Sequence, residues 1–238
     1  MLKRFLAILR YLWHQLLPSD CLWCSLPVQH YNHQLCSVCS NALPELPYTL
    51  CHYNLLWLPA VASGLKNVQF DYLLSLALYQ QPYRHWIQQW KFRQQLAAGE
   101  LLQQEFCQLL SAYQQAGNPV PQAILYVPMH PSRQRKRGFN QAQQLAKAIS
   151  DHLHLPLLHE LKRTKPVPAQ VGLGRKQRQQ NLRSAFTINT SCRLPAHVAL
   201  IDDVITTGAT ANQLCRLLKQ QGATTISLWT LAVTPASP

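Results

Sequence analysis

The sequence predicts an α/β fold preceded by a small metal-binding module, and three observations carry that expectation. Val198-Ala-Leu-Ile201 reads as a buried strand that ends on Asp202 and Asp203, followed by a loop of small hydroxyl residues. The loop enters a helix with Leu214, Leu217 and Leu218 at helical spacing, stopped by Gly222. Upstream, strand-like apolar runs alternate with amphipathic helix-like ones. Ahead of them all, four cysteines stand as two C-x2-C pairs. At 238 residues the chain can bury a real core, as one large domain or one ordinary domain plus a module. The expected division is 1–57 for the N-terminal helix and metal module and 58–238 for the larger domain.

The opening stretch, Met1 to Trp13, imitates a secretion signal, but Arg10 breaks its apolar part and no small-x-small cleavage site follows. It reads instead as a basic amphipathic helix with Phe5, Leu6, Leu9, Leu12, Trp13 and Leu16 on one face. No apolar run approaches a membrane span, so no integral membrane span and a cytoplasmic location are expected.

Cys21-Leu-Trp-Cys24 and Cys36-Ser-Val-Cys39 are two knuckles eleven residues apart. Four soft ligands from a segment too short to build its own core suit a structural, tetrahedral Zn²⁺, and leave no open position for catalysis. The bland alternatives are two disulfides or four ordinary buried cysteines; a cytoplasmic setting disfavours the first, and the double C-x2-C spacing is specific. Cys51 and His52 follow twelve residues later and rank second as ligands. Cys107, Cys192 and Cys215 lie on apolar patterns, as small core residues do.

Pro44, Pro47 and Pro59 mark 44–63 as a linker. Phe70 to Tyr79 reads as a strand, and 83–92 and 96–113 as helices, the second with Leu101, Leu102, Phe106, Leu109, Leu110 and Tyr113 on one side. Lys91-Phe92-Arg93 closes the first helix, where cations can reach an anion or simply favour a helix C-terminus. Ala123 to Val127 is the next strand, left by Pro128-Met129-His130-Pro131. The basic run Ser132 to Arg137 follows, then Gly138-Phe139-Asn140-Gln141. Asn140 N-caps a helix to His152 with Leu145, Ala146, Ile149 and Leu153 inward. A short strand at Leu155–Leu158 and a final one at Thr225–Val233 complete the elements.

The loop after Asp203 is where ligand chemistry belongs, since α/β sheets bind ligands beyond the carboxyl ends of their strands. Free backbone N–H groups at the start of a helix make an anion site. Thr206, Thr207 and Thr210 add hydroxyls, Ala209 stays small, and Gly208 lets the backbone close on a phosphate. An anion cup beside two carboxylates suits a sugar phosphate. A Walker-type ATPase would need a Gly-Lys-Ser/Thr loop and a dinucleotide site a G-x-G-x-x-G, and the chain has neither.

Lys+Arg number 22 against Asp+Glu 9, a net charge of +13. That balance speaks of partners: phosphates, nucleic acid or an anionic surface. Between 130 and 195 only Asp151 and Glu160 oppose the cations. Single-stranded nucleic acid could also stack on Trp23, Tyr31 and His33 of the cysteine module.

Asp202-Asp203-Val-Ile-Thr-Thr-Gly-Ala-Thr210 resembles the phosphoribosyl pyrophosphate (PRPP) signature of type I phosphoribosyltransferases. With the cysteine module, with Val127-Pro128-Met129-His130-Pro131 and the basic run closed by Gly138-Phe139-Asn140-Gln141, the chain resembles the ComF/GntX family, associated with competence and use of external DNA. The resemblance covers nearly the whole chain. It implies a type I phosphoribosyltransferase-like parallel sheet flanked by helices, with PRPP and Mg²⁺ at the strand ends. Asp202 and Asp203 would hold the ribose hydroxyls, directly or through the metal. Thr206, Thr207, Gly208, Ala209 and Thr210 would cradle the 5′-phosphate, and Val127, Pro128 and Met129 would form the pyrophosphate loop. Arg163 and Lys165 would neutralise charge as pyrophosphate leaves. A cationic block with Gly172, Gly174, Arg175, Lys176, Arg178 and Arg183 would be the lid. Implied partners are PRPP and single-stranded DNA or DNA-processing proteins; homo-oligomerisation stays open. So do two functions, a phosphoribosyltransferase of unassigned acceptor and a single-strand binder whose PRPP site is regulatory or catalytically retired.

Overall fold

The computed structural model describes residue 12 and residues 16–31, 33–164, 185–189 and 193–236. Of the expected N-terminal helix face only Leu12 and Leu16 fall among these, both exposed; Lys165, the lid block from Gly172 to Arg183, and Cys192 lie outside the described residues. The elements in chain order are α1 (Ser37–Asn41), α2 (Pro59–Ala62), β1 (Tyr72–Leu78), α3 (Tyr83–Arg93), α4 (Leu96–Gln115), β2 (Ala123–Tyr126) and α5 (Pro131–Arg137). Then come α6 (Gln141–Leu153), β3 (Leu161–Arg163), β4 (Phe186–Ile188), β5 (His197–Ile205), α7 (Ala209–Gln220) and β6 (Thr225–Val233).

Four strands form an all-parallel sheet in the order β1-β6-β5-β2. Their sequences are predominantly apolar because both faces are covered, with Ser75, Ser227 and Thr230 as buried polar exceptions. On one face Leu73, Leu228, Leu200 and Leu125 align across the sheet and pack with α7 and the 46–65 segment. On the other, Leu74, Trp229 and Ile201 align and pack with α3, α4 and α6. The expected α/β sheet flanked by helices is therefore present.

Two local expectations are corrected, and one unassigned stretch gains an element. The strand expected at 155–158 shrinks to one parallel bridge from Leu157 to Ile124, because Pro156 has no N–H with which to continue a ladder. The basic run, given no element from the sequence, forms the short helix α5, with Pro131 in its first turn, His130 capping the Ser132 N–H, and Gly138 in positive φ at its end. The strand before the acids does not end at Ile201; β5 continues to Ile205, and Asp202 pairs with Thr230 inside the ladder. Charge did not stop the strand because β6 supplies its backbone partners throughout.

The proline-rich stretch packs firmly on β1. Tyr48 donates its hydroxyl to the Ser75 and Leu76 carbonyls at 2.9 Å each, and buried Asn54 takes the Leu73 N–H at 3.0 Å. The cysteine module docks on α3, where the Trp86 indole N–H donates to the Leu22 carbonyl at 3.2 Å.

The connections create one opening. From β2 the chain moves outward, through α5 and α6, to the Leu157 bridge at the sheet edge. From β5 it moves the other way, through α7, to β6. The crevice beyond the carboxyl ends of β2 and β5 is thus a switch point, the place where such sheets receive ligands.

Candidate functional site

The cysteine module holds the first constellation. The four sulfurs of Cys21, Cys24, Cys36 and Cys39 lie within 4.8 Å of one another, and those of Cys24 and Cys36 are 3.6 Å apart. A tetrahedral zinc with bonds of about 2.3 Å would set its sulfurs about 3.8 Å apart, so the four cysteines fit that ion. Each knuckle is shaped by its backbone: Ser25 N–H donates to Cys21 C=O with Ser25 at positive φ, and Cys36 caps α1 by accepting from Cys39 N–H. Burial alone would raise the Cys21 thiol, but N–H donors at Cys24, Cys36 and Trp23 pull it down to about 6. Burial and the neighbouring sulfurs of Cys24, Cys36 and Cys21 push Cys39 up. One thiolate is ready for a metal, and another needs the metal's charge to ionise. Cys51 belongs elsewhere: it is fully buried in the other core and its thiol faces Tyr48 C=O. His52 packs against Trp57.

The second constellation is the crevice. Asp202 and Asp203 are half-buried on β5, just past the point where the Val127 N–H makes the last bond from β2 to Ile201 C=O. There regular strand structure gives out, and Val127-Pro128-Met129 continues without it. Asp202 Oδ1 accepts the Asp203 N–H at 2.8 Å, and Asp203 Oδ2 meets Lys91 Nζ at 2.9 Å. Burial and the adjacent Asp203 carboxylate push Asp202 up to about 7, against the Asp203 N–H, Lys91 and Arg163, which favour its charge. Burial lowers Arg163, with Arg133 adding to it and Asp202 opposing. Burial likewise lowers Arg137, opposed by Asp203. Both guanidiniums thus stand within electrostatic reach of the acids.

The loop expected to bind phosphate follows. Thr206 and Thr207 are exposed, and Gly208 sits at φ +76°, a left-handed turn that aims the chain into α7. A Cβ at Gly208 would meet nothing closer than 3.5 Å, so backbone conformation, not space, requires glycine. No side chain caps α7, which leaves its first-turn N–H groups available. Thr210 is half-buried and Ala209 exposed at that turn.

Two contributors have no role in the sequence reading. Asn212, on the buried face of α7, holds the 66–69 loop beneath Gly208: it accepts from Gln69 N–H at 2.9 Å and donates to Lys66 C=O at 2.7 Å. Gln141 accepts from Arg137 Nη1 at 2.9 Å and so orients that guanidinium. Lys91, at a helix end where a cation can reach an anion, does reach one, and the anion is the Asp203 carboxylate of the same chain. The signal was present, since Lys91 stands four residues after Ile87 on the apolar face of α3.

No protein-family model matches the chain. Among curated proteins it is similar to competence protein F of Haemophilus influenzae, with 33% identity over 221 residues, 89% of this chain and 96% of that one. It is similar to the DNA utilization protein YhgH of Escherichia coli K12, with 32% identity over 226 residues, 91% of this chain and 98% of that one. Competence protein ComFC of Streptococcus pneumoniae matches at 33% over 110 residues, 45% of this chain and 46% of that one. A solved structure described as the allosteric regulatory enzyme of purine biosynthesis matches 54% of this chain and 25% of its own, with 15% identity and a TM-score of 0.36. That likeness is too distant to bear on function.

Proposed function

The chain belongs to the ComF family of competence and DNA-utilisation proteins, and from this we propose that it binds PRPP with Mg²⁺ in the β2–β5 crevice, in the service of DNA uptake or use. The observation that carries the reading is the succession Asp202, Asp203, left-handed Gly208 and uncapped α7 at a switch point of a parallel sheet. Asp202 and Asp203 would accept hydrogen bonds from vicinal ribose hydroxyls. The α7 first turn, with the Thr206, Thr207 and Thr210 hydroxyls, would take the 5′-phosphate. Arg163 and Val127-Pro128-Met129 would face the pyrophosphate. Mg²⁺ would neutralise pyrophosphate charge and could share the two carboxylates, hard oxygen ligands of the kind it prefers. Transfer of the ribosyl group to an unassigned acceptor is the chemistry such a site can carry, by positioning and electrostatics, with no covalent nucleophile. Calorimetric titration of Mg²⁺·PRPP into the zinc-loaded protein tests the reading. Saturable binding that disappears in Asp202→Asn/Asp203→Asn supports it; no binding to folded wild type refutes it.

One observation favours single-stranded nucleic acid as a second ligand. Phe92 is 69% exposed, with the Arg137 guanidinium 5.2 Å from its ring centroid, beside exposed Arg93, Arg133, Arg135 and Lys136. An aromatic face among cations is how bases and backbone are gripped without sequence preference. Phe92→Ala should weaken single-strand affinity about 5–100-fold, and the affinity should fall steeply with salt. A salt-insensitive or unchanged affinity would argue against this surface.

A further inference from the structure

Lys91 lies in none of the sequence blocks that carry the phosphosugar reading, yet its Nζ is 2.9 Å from Asp203 Oδ2, with the two side chains only 13% and 20% exposed. A lysine held there gives up hydration and the freedom of a four-carbon stem. Asp203 already has Arg137 within electrostatic reach, so neutralising one carboxylate does not require both cations. The two are delivered by fastened elements. Gln94 Nε2, just after α3, donates to Arg137 C=O at 3.2 Å, and Arg137 lies over the ring of Phe92, the residue after Lys91. Arg137 is also fixed by Gln141. Its guanidinium is a rigid fork, whereas the Lys91 ammonium is a point charge on a turning stem. Arg137 is anchored by Gln141 and the Phe92 ring, whereas the Lys91 ammonium is held by its contact with Asp203.

Resting on the phosphosugar reading, we infer that Lys91 is a positioning residue that changes partner: it holds Asp203 while the crevice is empty and passes to the anionic end of the ligand once the sugar engages Asp203. Without such a cation two adjacent carboxylates would repel each other and any incoming phosphate. Once the sugar hydroxyls satisfy Asp203, the ammonium is released beside a polyanion. A ligand that lacks the pyrophosphate gives Lys91 nothing to turn to, and for that ligand the lysine is only a competitor for Asp203.

The test compares two ligands on the zinc-loaded protein, PRPP and ribose 5-phosphate, each with Mg²⁺, by calorimetry on wild type, Lys91→Met and Lys91→Arg, with melting temperatures alongside. Lys91→Met is expected to lose PRPP affinity about 10–100-fold, the range of a charge-assisted hydrogen bond, while ribose 5-phosphate binds as well as before or better. Lys91→Arg should recover part of the PRPP affinity. Equal losses for both ligands would mean that Lys91 only supports the fold, and would overturn the inference. If Lys91→Met does not fold, Lys91→Gln takes its place under the same criterion, and Lys91→Arg must still affect PRPP more than ribose 5-phosphate. Wild type that binds neither ligand would sink the phosphosugar reading itself, an outcome distinct from equal losses.

Discussion

Gly99 is a position where one methyl group should disturb the crevice from a distance. A Cβ there would stand 2.4 Å from Trp90 Nε1 and 2.6 Å from Cε2, in the seam between α4 and α3. Trp90 is 1% exposed and is backed by the Phe139 ring at 5.9 Å, so the indole has nowhere to retreat. Ordinary carbon contact requires a displacement of about 1 Å. In an exposed helix Gly→Ala would stabilise by about 1 kcal/mol. Here overpacking of about 1–3 kcal/mol opposes that gain. The rigid indole places the penalty in the upper part of that range, so Gly99→Ala should destabilise by a net of about 1 kcal/mol. Since Lys91 directly follows Trp90, the displacement should also loosen the Lys91–Asp203 contact and weaken Mg²⁺·PRPP binding. Urea unfolding followed by tryptophan fluorescence reads the first effect and calorimetry the second. A Gly99→Ala protein as stable as wild type would refute the packing argument. One that is destabilised but binds fully would break the link from Trp90 to the crevice.

Three further outcomes are expected. Metal analysis should find one zinc per chain, lost in Cys24→Ser and kept in Cys51→Ser, since Cys51 lies outside the sulfur cluster; zinc retained by the first or lost by the second would contradict the assignment. Asn212→Ala should cost about 1–3 kcal/mol in denaturant unfolding, because the Gln69 N–H and Lys66 C=O lose their buried partner, and an unchanged midpoint would count against that clamp. Asp202 titrates near 7 when folded against 3.8 ordinarily, so the folded state binds the proton more tightly. The sign follows: this stabilisation is complete below about 4 and is lost as pH rises to about 7. Asp202→Asn should flatten that part of the stability–pH profile, and a profile that keeps its slope in the variant would assign it to another group.

The parallel sheet was legible because strands buried on both faces leave apolar runs such as Val198–Ile201 and Leu231–Val233. The sulfur cluster was legible because knuckle spacing is itself the geometry. What stayed hidden depended on partners far along the chain. Asp202 and Asp203 look like a strand end, and only the continuous β6 ladder shows that they lie within a strand. The prolines of 44–63 suggest a linker, yet Pro59 opens the short helix α2, and the Tyr48 hydroxyl, 27 residues from its acceptor Ser75, leaves no local pattern. Asn212 reaches back 143 residues to Gln69, a pairing invisible to any window of sequence.

The charge balance makes sense only with this geometry. Of the nine acids, Asp151 pairs with Lys147, and Asp71 stands near Lys219 while accepting the Ile226 N–H. Asp203 takes Lys91, and these three ion pairs are the only ones among the described residues. Most Lys and Arg side chains among the described residues are therefore without a carboxylate partner, and the net charge of +13 creates a field that draws polyanions. A carboxylate pair placed openly in that path would repel the phosphates the field attracts. Asp202 is instead half-buried with Arg163 in reach, and Asp203 is covered by Lys91. The long-range field and the local hydrogen-bond acceptors can then act on the same ligand without opposing each other.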